Sequence, residues 1–266
     1  MTLRVTLAGA TGWAGAELAR GIVASGDMEL VSGVSRASAG CVLGDVLGDP
    51  AITVPLYATA TEALAAGADV FVEFTHPSTA KSNVLAALAA GSHVVVGTSG
   101  LTDADYAEID AAARAAGLGV VAAGNFALTA VLLLKFAEMA ARVLPSWEIV
   151  EFATDRKPDA PSGTVRELVG RMGAVRAPAW AIAPSDSLGE PAARGATVNG
   201  SQVHSVRLPG YVLGVDVHFG LPDETLTIRH NAGESAKPYV GGALVAIRKV
   251  PGIVGLRRGL DSVLDL

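Results

Sequence analysis

Four groups of residues, in five short stretches of the chain, are of types whose spacing suits chemistry. In the first, Gly9-Ala10-Thr11-Gly12-Trp13-Ala14-Gly15, glycines recur every three residues. Glycine lets a backbone turn tightly and approach a pyrophosphate, while the free N–H groups of a helix start face the anion. The stretch is a candidate dinucleotide cradle, and a turn that only packs helix on sheet has the same signature. The second is Ser35-Arg36. At the end of a second strand a carboxylate would bond the ribose hydroxyls of NAD, whereas a guanidinium pairs with the extra phosphate of NADP. NADPH is therefore the expected cofactor, with NADH as the weaker one, against the plain alternative of a solvated arginine. In the third, Glu73-Phe74-Thr75-His76-Pro77 and Gly97-Thr98-Ser99-Gly100 fall at carboxyl ends of expected parallel strands, the edge where such sheets hold ligands. Phe74, Thr75, His76, Gly97, Thr98 and Ser99 would border the cofactor, although His76 also suits a loop and Thr98 a helix cap. The fourth runs from Glu151 to Thr164. Here Ser162, Gly163 and Thr164 would offer hydroxyls and N–H groups at a helix start as a seat for a substrate carboxylate, and Lys157 a charge or a proton. An N-cap at Ser162 beside a solvated Asp155-Arg156-Lys157 run is the alternative.

These stretches sit in a recognisable alternation. Strands are expected at residues 3–8, 28–34, 70–74, 94–96 and 119–122, and helices at 14–25, 61–66, 78–90 and 103–116, the pattern of a parallel sheet wrapped by helices. After Asn125 the texture changes to a long apolar helix, 128–143, and an alternating strand, 147–154. A helix at 165–172, a Pro/Gly/Ser-rich stretch at 177–196, three strands around 204–207, 212–219 and 224–230, and a helix at 239–247 follow. Residues 255–266 are expected to form a turn and a short terminal segment.

Composition narrows the function classes. The 266 residues carry 20 Lys and Arg against 26 Asp and Glu, a formal charge of −6, so no basic surplus serves a phosphate backbone and nucleic acid is not an expected partner. Mean hydropathy is +0.43, yet no apolar run reaches the ~18–20 residues of a membrane span. The start, Leu3-Arg4-Val5-Thr6-Leu7 after Met1, lacks the pattern of a secretory signal, and a cytoplasmic protein is expected. The single cysteine, Cys41, and five scattered histidines offer no metal-ligand spacing, so no metal is expected.

Taken together, the motifs resemble the 4-hydroxy-tetrahydrodipicolinate reductases, also called dihydrodipicolinate reductases, of the diaminopimelate route to lysine. The resemblance rests on the Gly9 to Gly15 loop, on Glu73-Phe74-Thr75 where the family usually has Asp-Phe-Thr, and on Gly97-Thr98-Ser99-Gly100 where it has Gly-Thr-Thr-Gly. It also rests on Asn125-Phe126-Ala127, on the ending Asp261 to Leu266 and, most specifically, on Lys157-Pro158-Asp159-Ala160-Pro161-Ser162-Gly163-Thr164. It implies an α/β chain: a Rossmann-like dinucleotide domain, 1–124, completed by 236–266, and a smaller α+β domain, 125–235, whose open mixed sheet binds substrate and builds a homotetramer. Asn125 and Phe126 would then lie beside the nicotinamide, and a hydride would pass from NAD(P)H to a cyclic unsaturated small molecule.

Two departures concern the substrate half. The family's His-His proton donor aligns with Ala153 and Thr154, neither of which is an acid near neutral pH. The arginine of its His-x-Ala-x-Ser-Arg, which grips a substrate carboxylate, aligns with Ser235, next to Glu234. The leading expectation is an NAD(P)H-dependent reductase of a C=N bond in a cyclic imine with fewer carboxylates, with Lys157, Asp155 or Asp159 assisting proton transfer. The alternatives are the lysine-pathway reductase itself, with Lys157 as its acid, and a non-catalytic NADPH-binding sensor or assembly protein.

Overall fold

The computed structural model describes residues 2–264 and divides into two compact units, residues 1–128 with 235–266 and residues 129–234. Met1 and the last two residues of the Asp261 to Leu266 ending lie outside the described residues.

The first unit is built on a seven-stranded sheet. Its strands are β1 (Leu3–Ala8), β2 (Met28–Val34), β3 (Leu56–Tyr57), β4 (Val70–Glu73), β5 (His93–Val96), β6 (Gly119–Ala122) and β12 (Gly255–Arg258). All pair in parallel, in the order β12-β6-β5-β4-β1-β2-β3. Parallel strands covered on both faces need continuous apolar runs, and Val70, Phe71, Val72, Val94, Val95, Val120 and Val121 are fully buried. Helices α1 (Trp13–Ala24), α2 (Leu43–Leu47), α3 (Ala60–Leu64), α4 (Pro77–Ala89), α5 (Asp103–Ala116) and α8 (Lys237–Lys249) complete the unit. Helix α8 lies so close to α1 that a Cβ at Gly21 would overlap the side chain of Val240.

The sheet reverses its strand order between β1 and β4, the kind of switch point at whose carboxyl edge open parallel sheets hold ligands. Four elements were not among those expected from the sequence. Strand β3 is two residues long and α2 five, both below the length at which periodicity is legible. Strand β12 replaces the expected terminal turn; Gly255-Leu256-Arg257-Arg258 has no strand-like alternation and is extended because β6 offers it an edge. The fourth, β8 (Ala196–Val198), belongs to the second unit.

In that unit α6 (Leu128–Ala141) and α7 (Gly163–Val175) cover a mixed sheet of order β11-β10-β7-β9-β8, where β7 is Ser146–Ala153, β9 Ser201–Arg207, β10 Leu213–Leu221 and β11 Glu224–Ala232. Only the β7–β9 pair is parallel. Alternate residues of β7, namely Trp147, Ile149, Glu151 and Ala153, are buried, the period of two that a one-sided sheet requires. Trp147 donates its indole N–H to Ser201 Oγ at 2.9 Å, which satisfies the one polar atom of that ring in the core. Among the described residues no helix is long and apolar enough to cross a membrane.

Helix α5 is capped by Thr102, not by Thr98: Thr102 Oγ1 accepts the Asp105 N–H, and Asp105 accepts the Thr102 N–H in return. The Thr102 backbone and hydroxyl, with Lys81, hold the Asp105 carboxyl down at about 2. A lowered carboxylate stabilises the fold above its unfolded value and loses that contribution as pH falls through the folded one. In Thr102→Ala, Asp105 should titrate closer to 3.8 in an NMR pH titration, and the acid unfolding midpoint should move to higher pH.

Candidate active site

Chemistry-bearing residues gather in two places, one in each unit. In the first unit β1 ends at Ala8 and the chain turns through Gly9 at φ +79°, a conformation that side chains disfavour. A Cβ at Gly9 would overlap the carbonyl of Phe74, and one at Gly15 the carbonyl of Gly9. The three segments pack with no room for a side chain. Helix α1 then starts at Trp13 with Gly12 as N-cap and no side chain accepting from its first turn, so the N–H groups of Trp13, Ala14 and Gly15 have no acceptor within the helix. An uncapped helix start behind a glycine turn fits a pyrophosphate.

Beside this loop lies a cavity of about 370 Å³ lined by Gly9, Thr11, Ser35, Arg36, Thr75 and His76, together with Thr59, Thr79, Ser82 and Asn83, which had no motif to mark them in the sequence. The hydroxyls of Thr11 and Ser35 are 2.9 Å apart. Arg36 is exposed, and its guanidinium has no ion pair among the described residues. His76 caps α4 by accepting the Ser78 N–H at Nδ1, which leaves Nε2 as the free ring nitrogen. Phe74 stands against Gly97, whose missing Cβ makes room for the ring, and against Phe126 at 5.5 Å between centroids. Asn125 accepts the Ala127 N–H at 2.9 Å, Thr98 is buried, and Ser99 and Trp13 are exposed.

Glu73 closes β4 and is fully buried. Burial pushes its carboxyl above the ordinary range, partly offset by hydrogen bonds from Thr75, Asn83 and Thr98.

In the second unit the loop from Thr154 to Ser162 is held by a buried ion pair. Glu151, with no exposed surface, accepts from Arg207 Nη2 at 2.5 Å, from Ser205 Oγ at 2.7 Å and from the Ser162 N–H at 2.9 Å. Arg207 donates onward to the Asp159 carbonyl at 2.8 Å. Burial raises the Glu151 carboxyl, but the Ser162, Ser205 and Arg207 bonds outweigh it and hold the group below its ordinary range. Ser162 spends its N–H on Glu151 and its hydroxyl oxygen on the α7 cap, accepting from Val165 N at 3.3 Å. The groups left for a ligand are the N–H donors of Gly163 and Thr164 and the Thr164 hydroxyl.

Lys157 Nζ lies 2.6 Å from Asp159, and that contact holds the Asp159 carboxyl below its ordinary range. Asp159 is thus the ion-pair partner of Lys157. Asp155 is exposed and accepts from Thr154 Oγ1 at 3.2 Å. His230, 3.1 Å from Thr129 Oγ1, is buried, and burial pushes its imidazole below the ordinary value. A larger cavity of about 590 Å³ in this unit is lined by Trp147, Trp180, Arg194 and His218, none of which belongs to the candidate set.

Comparisons with known proteins divide the chain near residue 128, although the second family model runs on through α8 and β12 of the first unit. Residues 3–126 match the family model "Dihydrodipicolinate reductase, N-terminus", and residues 129–260 match "Dihydrodipicolinate reductase, C-terminus". The chain belongs to the dihydrodipicolinate reductase family. It is 37% identical over 267 residues to a 4-hydroxy-tetrahydrodipicolinate reductase of Desulfitobacterium hafniense, covering 99% of both chains. It is 39% identical over 271 residues to that of Beutenbergia cavernae, covering 100% of both. A dipicolinate-bound dihydrodipicolinate reductase from Paenisporosarcina sp. TG-14 superposes with a TM-score of 0.88 at 31% identity, covering 99% of this chain and 100% of that one. An amine dehydrogenase from Mycobacterium smegmatis, at 14% identity and TM-score 0.68, shares the fold. Membership makes the chain an NAD(P)H-dependent oxidoreductase with a small-molecule substrate.

Removing one partner of a buried ion pair leaves the other charge uncompensated, at a cost of about 3–5 kcal/mol. Glu151→Ala should lose about that much unfolding free energy in urea, while Asp155→Ala, at an exposed site, should stay within about 0.5 kcal/mol of the parent.

Proposed function

We propose that this protein reduces 4-hydroxy-tetrahydrodipicolinate with NADPH as preferred cofactor and NADH as the weaker one. The first unit holds the dinucleotide and the second the substrate, in a cytoplasmic homotetramer. The observation that carries this reading is the retained Lys157-Pro158-Asp159-Ala160-Pro161-Ser162-Gly163-Thr164 loop, in a chain that matches named reductases along its whole length.

When bound, the nicotinamide supplies the hydride. The glycine turn and the N–H groups of Trp13, Ala14 and Gly15 bind the pyrophosphate, and Arg36 with the Thr11 and Ser35 hydroxyls recognises a phosphate on the adenosine ribose. In the second unit the free N–H donors of Gly163 and Thr164 take a substrate carboxylate. Lys157, oriented by Asp159, is the acid that keeps the imine nitrogen protonated. Ala153 and Thr154 leave no histidine for this task, which falls to Lys157.

A second reading is favoured by Ser235 and Glu234, which stand where the family's arginine grips a carboxylate. Loss of a charge-assisted bidentate contact suits a cyclic imine with fewer carboxylates. The deciding experiment is NADPH oxidation with 4-hydroxy-tetrahydrodipicolinate generated in situ, beside cyclic imines bearing one carboxylate or none. Turnover of the dicarboxylate with the highest kcat/KM supports the first reading; turnover confined to the less charged imines replaces it with the second. With the true substrate, Lys157→Ala should lower kcat/KM by roughly 10²–10⁴-fold and leave dinucleotide affinity unchanged. In Arg36→Ala, the KM for NADPH should rise roughly tenfold or more while that for NADH stays constant, since one charge-assisted hydrogen bond is worth about 1.5–3 kcal/mol.

A further inference from the structure

The geometry points to Glu73 as the positioning residue of the dinucleotide site, a buried acceptor that fixes the side chains of the cavity wall. This rests on the cofactor reading above. Glu73 Oε1 accepts the Thr75 N–H at 2.8 Å, the Thr75 hydroxyl and the Thr98 hydroxyl at 3.2 Å; Oε2 accepts Asn83 Nδ2 at 2.9 Å. Its backbone carbonyl accepts the Gly97 N–H at 2.9 Å. One residue therefore ties together the loop after β4, the body of α4 and the loop after β5.

Two of these donors, Thr75 and Asn83, line the cavity beside the glycine turn, and Thr75 also stands 3.1 Å from the Thr79 hydroxyl on the same wall. The partners are all neutral donors, and no cation is within ion-pair distance of Glu73 among the described residues. A carboxylate suits this place because the Thr75 N–H and the Asn83 amide donate to it and the hydroxyls of Thr75 and Thr98 are free to do so. A glutamine of the same shape would set an NH2 against at least one donor, so Asn83 would have to turn its amide or Thr75 its hydroxyl. Either change alters the wall that a dinucleotide meets. Phe74, between Glu73 and Thr75, is held against Gly97 and Phe126 by the same constraint.

The test measures the dissociation constant for NADPH by fluorescence quenching, together with Tm, in the parent, Glu73→Gln and Glu73→Asp proteins. A shift of roughly tenfold or more in the dissociation constant of Glu73→Gln, with Glu73→Asp within about threefold of the parent, is the expected result. Should Glu73→Gln fail to fold, Thr98→Val, which deletes one donor to the same oxygen, should weaken NADPH roughly threefold. A lower Tm with unchanged affinity for NADPH in the folded variants would overturn the assignment and leave Glu73 a purely structural residue. If the parent itself binds neither NADPH nor NADH, the cofactor reading falls and this inference with it; a parent that binds, with variants that bind equally well, removes only the role of Glu73.

Discussion

At Gly9 three pieces of backbone meet with no space for a side chain: the end of β1, the first turn of α1 and the carbonyl of Phe74 after β4. Gly15 repeats the condition against the carbonyl of Gly9. This close approach sets how α1 leaves the sheet, and with it the direction of the uncapped N–H groups at Trp13, Ala14 and Gly15. It also sets the height of the Phe74-Thr75-His76 loop above the sheet, because that loop forms the other side of the contact. The turn is a consequence of backbone packing at a switch point, and it leaves a helix start whose N–H groups are suited to an anion.

The second unit uses a different device. Its polar loop is anchored by charge: Arg207 holds the Asp159 carbonyl while Glu151 holds the Ser162 N–H, so the segment that follows Lys157 is fastened at two points to one ion pair. Such a pair costs desolvation, and the return is conformational definition of a loop that hydrophobic packing cannot position. The arrangement also explains why the helix start at Gly163 faces outward with donors to spare while Ser162, directly before it, is buried.

The parts of this design that were legible in the sequence are those written locally. The glycine spacing after Leu3–Ala8 announced the turn, and the alternation of valine-rich runs with alanine-rich helices announced the parallel sheet. Strand β12 was not legible, since Leu256, Arg257 and Arg258 become a strand only by lying along β6. Glu73 appeared as one letter in a motif; its meaning depends on Asn83, ten residues on, and Thr98, twenty-five residues on. Ser162 looked free to bind a ligand for the same reason. Its partner Glu151 lies eleven residues earlier and Arg207 lies fifty-six from that glutamate, distances across which a linear pattern carries no signal.

If the loop holds the substrate as proposed, the charges around Lys157 bear on which substrate it accepts. Asp155, Arg156, Lys157 and Asp159 sum to zero, and Lys157 is already neutralised by Asp159. Arg166, which donates to the Pro161 carbonyl, also leans towards Asp159 at 3.9 Å, and Arg207 belongs to Glu151. An incoming carboxylate must therefore share Lys157 with Asp159, and a second carboxylate meets no uncommitted cation on the loop except the exposed Arg156. The backbone donors at Gly163 and Thr164 can compensate one anion through the helix start, a contribution of about 0.3–1 kcal/mol from the dipole in addition to the hydrogen bonds. A dicarboxylate that takes up Lys157 competes with Asp159 for it, and so with the contact that holds the Asp159 carboxyl below its ordinary range. The pairing of Lys157 with Asp159 is thus the point at which the charge of the substrate is weighed.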